Sequence, residues 1–234
     1  MNSQVLIAQA KELGASLAGV ARVADLQKSS SCEFYRNGSY YAGCDEIVWP
    51  DDAISLLVIA LELEPSEPKL DWWGQIKGRT LGNRRLMDLA QSIKQCLLEK
   101  HGIKAHPLPY HVEKGGVFLK DCSALAGLGV IGKNNLLITP EFGAQVRLRA
   151  LFLDLELEPT GPSDFNPCEA CDMPCRSACP KNAFESGSYN RSLCLERMSE
   201  NDQRRTLVED WDKGSPGVVV KYCRACELAC PVSR

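Results

Sequence analysis

The sequence has no long apolar run, no recognisable leader and no excess of basic residues. Its apolar stretches all fall short of the roughly 18 residues that a membrane-spanning helix needs. The stretch from Met1 to Gly14 contains Lys11 and Glu12 and lacks the apolar core of a signal peptide. The formal net charge is −3, whereas binding to phosphate favours a basic surface. We therefore expect a cytoplasmic protein with no membrane partner, whose main partner is not a nucleic acid.

The abundant feature is cysteine. The chain has 12 cysteines among 234 residues, in a composition that is otherwise ordinary for a globular protein, with 44% hydrophobic and 24% charged residues. Eight of them lie between Cys168 and Cys230. In a cytosolic chain, clustered cysteines indicate metal binding rather than a disulfide framework. Four cysteines lie earlier and are predicted not to be ligands, namely Cys32, Cys44, Cys96 and Cys122.

Periodicity and turn residues predict a mixed α/β first part. The predicted elements are a helix over Ser3 to Leu13 with Ser3 as its N-cap, strands over Ser16 to Val23 and Ile54 to Leu61, a helix over Thr80 to His101 with the stripe Leu86, Ala90, Ile93 and Leu97, and a strand pair over Leu136 to Thr139 and Val146 to Leu155. The Pro/Gly segment 158–163 is interpreted as a linker. Beyond it the chain is too poor in apolar runs to build a large core, so metal binding is expected to stabilise it.

The eight late cysteines form two runs that both end in Cys-x3-Cys-Pro. The first is Cys168-x2-Cys171-x3-Cys175-x3-Cys179, and the second is Cys223-x2-Cys226-x3-Cys230, with Cys194 upstream. In bacterial ferredoxin motifs the cysteine before proline ligates the other cluster. This logic predicts two [4Fe–4S] clusters, one held by Cys168, Cys171, Cys175 and Cys230 and the other by Cys179, Cys194, Cys223 and Cys226. Two zinc sites are the weaker alternative, and the three-residue gap after Cys171 requires a wider turn than usual.

A glycine-rich loop precedes the cysteine runs. Gly127, Gly129 and Gly132 permit close backbone approach, and three polar residues follow, Lys133, Asn134 and Asn135. The loop fits either an anionic or amide-rich cofactor tail or a tight packing turn. Its order matches neither a Walker loop nor a dinucleotide fingerprint.

These motifs together resemble a known family. Ala126-Gly-Leu-Gly-x-x-Gly-Lys-Asn-x-Leu-Leu-Ile, followed by Gly143, by Leu151-Phe-Leu-Asp-Leu-Glu-Leu157 and by the two cysteine runs, resembles the epoxyqueuosine reductases and their iron–sulfur relatives, including the reductive dehalogenases. The resemblance is strongest over Lys120 to Pro231. It implies an α+β protein, with a nitroreductase-like cofactor domain over residues 1–160 and a ferredoxin-like two-cluster domain over residues 161–234.

The same resemblance implies a function. The clusters would pass single electrons to a cobalamin, which would act on a small-molecule or corrinoid substrate, and a low-potential ferredoxin or flavodoxin would supply the electrons. Two alternatives stay open: an electron-transfer protein that reduces a corrinoid or flavin on a partner, and a reductase that binds FMN. The family continues beyond its clusters into a region that helps hold tRNA, and only three residues follow Pro231 here. We therefore expect tRNA not to be the substrate.

The resemblance also suggests a proton donor. The family places an Asp fourteen residues before the first glycine of its Gly-Leu-Gly, and the matching residue here is Glu113. A carboxyl whose pKa is raised by burial is a suitable general acid. Tyr110 and His111 are neighbouring candidates, whereas Asp121 is expected on a solvated helix face.

Overall fold

This computed structural model describes residues 1–32 and 49–233. Residues 33–48, which include Cys44, residue 234 and the side chain of Glu113 lie outside the described part. The chain divides into two compact units. The first comprises Met1–Leu61, Leu86–Val130 and Leu148–Phe165, and the second comprises Glu62–Arg85, Ile131–Arg147 and Asn166–Arg234.

The described elements mix helices with short strands. In chain order the strands are β1 (Leu17–Arg22), β2 (Ser55–Glu62), β3 (Trp73–Gly74), β4 (Ala105–Pro107), β5 (Val130–Ile131), β6 (Leu137–Ile138), β7 (Val146–Leu153), β8 (Thr206–Asp212) and β9 (Ser215–Val220). The helices are α1 (Ser3–Glu12), α2 (Val23–Gln27), α3 (Leu81–His101), α4 (Leu119–Leu125), α5 (Pro174–Ser177), α6 (Arg191–Asp202) and α7 (Ala225–Leu228). Short 3-10 helices cover Pro68–Asp71 and Val112–Lys114.

A four-stranded sheet and two helices form the core of the first unit. The strand order is β1-β2-β7-β4, and both β1 with β2 and β4 with β7 run antiparallel. The predicted helical stripe is confirmed, because its four residues are at most 1% exposed and pack against the sheet. Burial of this kind contributes roughly 25 cal/mol per Å² of apolar surface. The helix α3 ends at His101 as predicted, and Gly102 follows it at φ +66, the left-handed conformation that commonly ends a helix.

The N-cap of α1 differs from the prediction by one residue. The side chain of Asn2, rather than that of Ser3, accepts a hydrogen bond from the Val5 N–H at 3.0 Å. Ser3 is already inside the helix, and its hydroxyl donates instead to the Glu158 carbonyl. Asn and Ser are both good N-caps, so the sequence pattern does not distinguish them.

The predicted pairing of a strand over Leu136 to Thr139 with a strand over Val146 to Leu155 is wrong. An antiparallel bridge joins Thr139 to Gly143, but β6 then pairs with β5, and β7 lies between β2 and β4. The reason is the burial of β7, which is nearly complete along its length. A strand buried on both faces belongs inside a sheet, and the two residues of β6 are too few to cover it.

The segment 158–163, interpreted as a linker, is bound within the first unit. The N–H of Thr160 donates to the Val20 carbonyl at 2.9 Å, and its Oγ1 accepts from the Val20 N–H at 2.8 Å. The same hydroxyl donates to the Ala126 carbonyl at 2.7 Å. These bonds attach the segment to β1 and to the end of α4.

The second unit combines a three-stranded sheet, in the order β3-β9-β8, with the short helices of the cysteine segments. The ring of Trp211 packs beside Gly74, where a Cβ would come within 2.7 Å of its Nε1. Arg84 and Asp212 form a bidentate ion pair at 2.6 and 2.7 Å. In the part of the chain that the structure describes, none of the helices combines the length and apolar composition that crossing a bilayer requires.

Candidate metal centre

Four thiols of the second unit surround one cavity. They belong to Cys168, Cys171, Cys175 and Cys230. Apart from Lys133 and Asn134, the rest of the lining is apolar, with Ile138, Pro167, Met173, Pro231 and Val232. The cavity is therefore rich in sulfur and poor in other polar groups.

The three-residue gap between Cys171 and Cys175 is accommodated by Met173. This residue adopts a left-handed conformation with φ 55 and ψ 55, and α5 begins immediately after it at Pro174. The Met173 N–H donates to the Cys171 Sγ at 3.3 Å. The wider turn that the sequence predicts is thus formed by one left-handed residue, at a cost of about 1 kcal/mol or more for a residue other than glycine.

The thiols of this group lie close enough to affect one another electrostatically. Burial raises the pKa of the Cys175 thiol, and the backbone N–H of Arg176 opposes that shift. The neighbouring thiols raise the pKa further, those of Cys230, Cys171 and Cys168. Cys230 thus joins cysteines that precede it by more than 50 positions in the sequence.

A second group of thiols surrounds Cys226. Burial raises the pKa of this thiol to about 12, and Cys223, Cys194 and Cys179 raise it as well. The local framework is hydrogen-bonded, because the Cys223 N–H donates to Asn201 Oδ1 at 3.1 Å and the Ala183 N–H donates to the Cys179 Sγ at 3.3 Å. The two groups match the predicted division of the eight cysteines, whose role as ligands stays a prediction.

A single-ion site has a different geometry. Tetrahedral zinc needs four donors at about 2.0–2.3 Å from one point. Within residues 1–32 and 49–233, no three His, Cys, Asp or Glu side chains are arranged to hold one metal ion. Cluster thiolates instead surround a larger group.

Two glycines of the loop, Gly127 and Gly132, pack against other parts of the protein. Gly127 has φ +75, and a Cβ there would lie 2.6 Å from the Thr160 carbonyl oxygen and 3.0 Å from Gly161 Cα. A Cβ at Gly132 would collide with the side chain of Ile138. These protein contacts explain why positions 127 and 132 are glycines, and no bound ligand is needed for that explanation.

The polar end of the loop lies at the thiol cavity. Lys133 and Asn134 both line it, and Asn134 is only 3% exposed. The Asn134 amide donates to the Cys226 carbonyl at 3.4 Å and accepts from the Leu136 N–H at 3.2 Å. Asn135, at φ 58, closes the turn by donating its N–H to the Gly132 carbonyl at 2.8 Å.

The candidate proton donors lie on a loop of the first unit. The rings of Tyr110 and His111 meet edge to face with centroids 5.1 Å apart. Glu113 lies in the 3-10 helix that follows, and its side chain is outside the described part. Buried Arg149 donates to the Leu108 carbonyl at 2.7 Å, which ties the start of this loop to β7.

Asp121 does not lie on a solvated face, contrary to expectation. It is 9% exposed and accepts a hydrogen bond from the Ser31 hydroxyl at 2.7 Å. The helix α4 is short and packs against β1 and α2, so most of its surface is covered. Cys122 beside it is buried as well, and burial, Asp121 and Cys32 all raise the pKa of its thiol.

A group of charged side chains lies next to the second cysteine run and was not predicted from the sequence. Arg224 and Glu227 stand between its cysteines, and the structure brings Asp71 and Arg147 to them. Arg224 and Glu227 lie inside the cysteine run, and this position is the sequence signal by which they could have been found. Nothing in the local pattern marks Asp71 or Arg147, because they come from separate segments.

Comparison with known proteins identifies the relatives of this chain. No family model matches it. The epoxyqueuosine reductase of Lactococcus garvieae is 28% identical over 163 residues, which cover 69% of this chain and 43% of the relative. The structure of the Bacillus subtilis epoxyqueuosine reductase superimposes with a TM-score of 0.65 over 99% of this chain and 65% of that one, at 21% identity.

This chain is similar in sequence and in fold to epoxyqueuosine reductases. It spans less than half the length of the Lactococcus relative. The tetrachloroethene reductive dehalogenase of Sulfurospirillum multivorans is also similar, with 32% identity over 119 residues, 47% of this chain and 22% of that protein. The expected α+β class holds at the level of a mixed α/β fold with small antiparallel sheets, as in the epoxyqueuosine reductase structures.

Two further solved structures are similar to this chain in fold. One is an epoxyqueuosine reductase with a modified tRNA-Tyr stem loop, with a TM-score of 0.63 at 21% identity over 98% of this chain and 64% of that one. The other is a reductive dehalogenase associated with B12-dependent dehalogenation, with a TM-score of 0.53 at 18% identity over 77% and 25%. In the first of these relatives a tRNA stem loop is present, in mild conflict with our expectation that tRNA is not the substrate. Neither supports FMN.

Proposed function

We propose that this protein is a cobalamin-dependent iron–sulfur reductase whose second unit holds two [4Fe–4S] clusters. The observation that carries the proposal is the gathering of eight thiols into two groups of four. The first group would hold one cluster through Cys168, Cys171, Cys175 and Cys230, and the second through Cys179, Cys194, Cys223 and Cys226. Thiolates are the ligands that such clusters require.

The surroundings of the first group fit a low-potential cluster. Apolar side chains line most of its cavity, and a dry shell of this kind controls the solvent access and redox potential of a metal site. The left-handed turn at Met173 and the short helix after it present three thiols from one loop. In this proposal residues 161–234 act as a ferredoxin-like domain that receives single electrons from a ferredoxin or flavodoxin.

The cobalamin part of the proposal rests on the relatives. A bound cobalamin would supply a strongly reducing cobalt to a nitroreductase-like domain over residues 1–160. Gly127 and Gly132 already contact protein, so neither of these two glycines leaves open space for its tail. For this chain's own residues we propose that Glu113, aided by Tyr110 or His111, delivers a proton to the substrate.

Iron analysis tests the clusters. Protein reconstituted without oxygen should contain about eight iron atoms per chain. Cys175→Ser and Cys226→Ser should each lower that number to about four, because each removes a ligand from a different group. Cys96→Ser is the matched control, since Cys96 lies on α3 in the first unit, and it should keep all the iron. A chain that binds only zinc would contradict the proposal.

A titration with cob(II)alamin tests the cofactor. Binding should change the cobalamin absorption spectrum, whereas FMN added under the same conditions should leave its own spectrum unchanged. A protein that carries both clusters but binds no cobalamin would instead be an electron-transfer protein for a partner.

The tRNA-bound relative defines the substrate assay. An epoxyqueuosine-containing stem loop and small corrinoid or halogenated acceptors are offered to the reduced protein. On whichever acceptor is turned over, Glu113→Gln should slow turnover by about 10²–10⁴-fold while cobalamin binding is kept. Glu99→Gln, on an exposed turn of α3, is the control. Full activity of Glu113→Gln would remove this residue from the mechanism.

A further inference from the structure

Four charged side chains meet beside the second cysteine run and form what we call the charge quartet: Asp71, Arg147, Arg224 and Glu227. Arg147 Nη2 donates to Asp71 Oδ1 at 2.6 Å and lies 3.5 Å from Glu227 Oε2. Arg224 donates to Glu227 Oε1, and its Nε lies 3.5 Å from Asp71 Oδ2. Each arginine therefore faces both carboxylates, and the quartet has no net charge.

The quartet is largely withdrawn from water. The side chains of Glu227, Asp71 and Arg224 are 5%, 13% and 14% exposed. Burying ion pairs costs desolvation energy that their attraction often fails to recover, and apolar replacements of equal volume are frequently neutral or stabilising. Stability alone is therefore a weak reason for these residues.

The position of the quartet suggests another reason. Arg224 directly follows Cys223, and Glu227 directly follows Cys226. The carboxylate of Glu227 is close enough to Cys226 for its negative charge to act on that side chain. In a poorly hydrated site such charges act over several ångströms with little screening.

We propose that the charge quartet sets the reduction potential of the cluster held by Cys179, Cys194, Cys223 and Cys226. This inference rests on the proposed function, because it requires the cluster. Reduction adds one electron to the cluster, so a nearby carboxylate lowers its potential and a nearby guanidinium raises it. The balance of the four charges holds the potential at its working value, and the ion pairs fix the two ligand-bearing residues next to it.

Substitutions that remove either a negative or a positive charge from the quartet test the proposal. Glu227→Gln removes a negative charge and should raise the potential, whereas Arg224→Gln and Arg147→Gln should lower it. The expected shift is at least a tenfold change in the ratio of reduced to oxidised cluster at fixed potential, which is 59 mV for one electron. Arg147→Lys keeps the positive charge, so its potential should lie close to that of the wild type.

The measurement is a redox titration of the reconstituted full chain, followed by the electron paramagnetic resonance of the reduced clusters. The signal that disappears in Cys194→Ser belongs to the second cluster. Glu67→Gln and Arg85→Gln are matched controls, because these residues form an exposed ion pair in the same unit, and their potentials should equal that of the wild type.

The outcomes separate the inference from the function on which it rests. Wild-type protein that takes up no iron contradicts the proposed function. Wild-type protein with eight irons, combined with shifts of one sign for both kinds of substitution or with no shift beyond the controls, overturns the role of the quartet. Loss of the second cluster in Glu227→Gln, Arg224→Gln and Arg147→Gln alike also overturns it, since the quartet would then be structural only.

Discussion

At the scale of single residues, Asn134 shows how a loop residue takes its role from its surroundings. Its buried amide nitrogen donates a hydrogen bond to the Cys226 carbonyl, and its amide oxygen accepts one from the Leu136 N–H. It also lines the cavity of the first thiol group. Asn134 therefore touches the surroundings of both groups, and its contact with a cofactor tail, one of the two alternatives that the sequence left open, stays a prediction.

Replacing Asn134 should weaken the second unit. Asn134→Ala leaves the Cys226 carbonyl and the Leu136 N–H without this partner, and an unsatisfied buried group costs about 1–3 kcal/mol. Chemical denaturation of the reconstituted protein measures the loss. Asn166→Ala serves as the control, because its side chain bonds an exposed Glu169. Equal stabilities of the two variants would show that the Asn134 contacts are energetically minor.

At the scale of elements, the turn between β6 and β7 holds the end of the second cysteine run. Gly143 has φ +55, and a Cβ there would lie 2.5 Å from the Ser233 N. The Ser233 hydroxyl accepts from the Ala144 N–H at 3.0 Å, and its N–H donates to the Cys230 carbonyl at 2.9 Å. A glycine at this turn thus permits the close approach that fixes Cys230.

Gly143→Ala should therefore displace the last ligand of the first group. We expect a loss of about 1–3 kcal/mol from the left-handed backbone, a further loss from the contact with Ser233, and release of up to about four irons. Gly187→Ala is the control, because Gly187 has φ +87 but open space around its Cα. The comparison of iron content isolates the contact with Ser233 from backbone strain.

At the scale of the whole molecule, the two units differ in what stabilises them. The first has a contiguous core of buried aliphatic side chains from α1, α3 and the sheet. In the second, α5 and α7 have four residues each, and helices this short are not stable alone. The second unit should therefore depend on its metal far more than the first.

Removal of iron by a chelator should affect the two units unequally. Hydrogen exchange should accelerate across α5, α6 and α7, while the amides of β2, β7 and the middle of α3 keep their protection. Mass spectrometry of peptides from both units measures the difference in one sample. Uniform acceleration, or none, would show that the cysteine segments do not depend on metal in this way.

The sequence determined what depends on spacing along the chain. The stripe from Leu86 to Leu97 follows from the helical period, and the end of α3 follows from Gly102. The grouping of the cysteines also follows from the ferredoxin-type spacing, with Met173 taking up the additional residue. The stripe and the helix end are local, so neighbours in sequence suffice to predict them. The grouping of the cysteines joins distant positions, but it repeats a known spacing pattern.

The tertiary structure decided what depends on segments far apart in the chain. Asp71 and Arg147 reach Arg224 and Glu227 only because a 3-10 helix, β7 and α7 converge, and no pattern marks the first two. The burial of Asp121, the docking of Thr160 on β1 and the separation of β6 from β7 have the same origin. Each depends on which surfaces are covered when apolar strands and helices pack, and that is fixed only once the whole chain has folded.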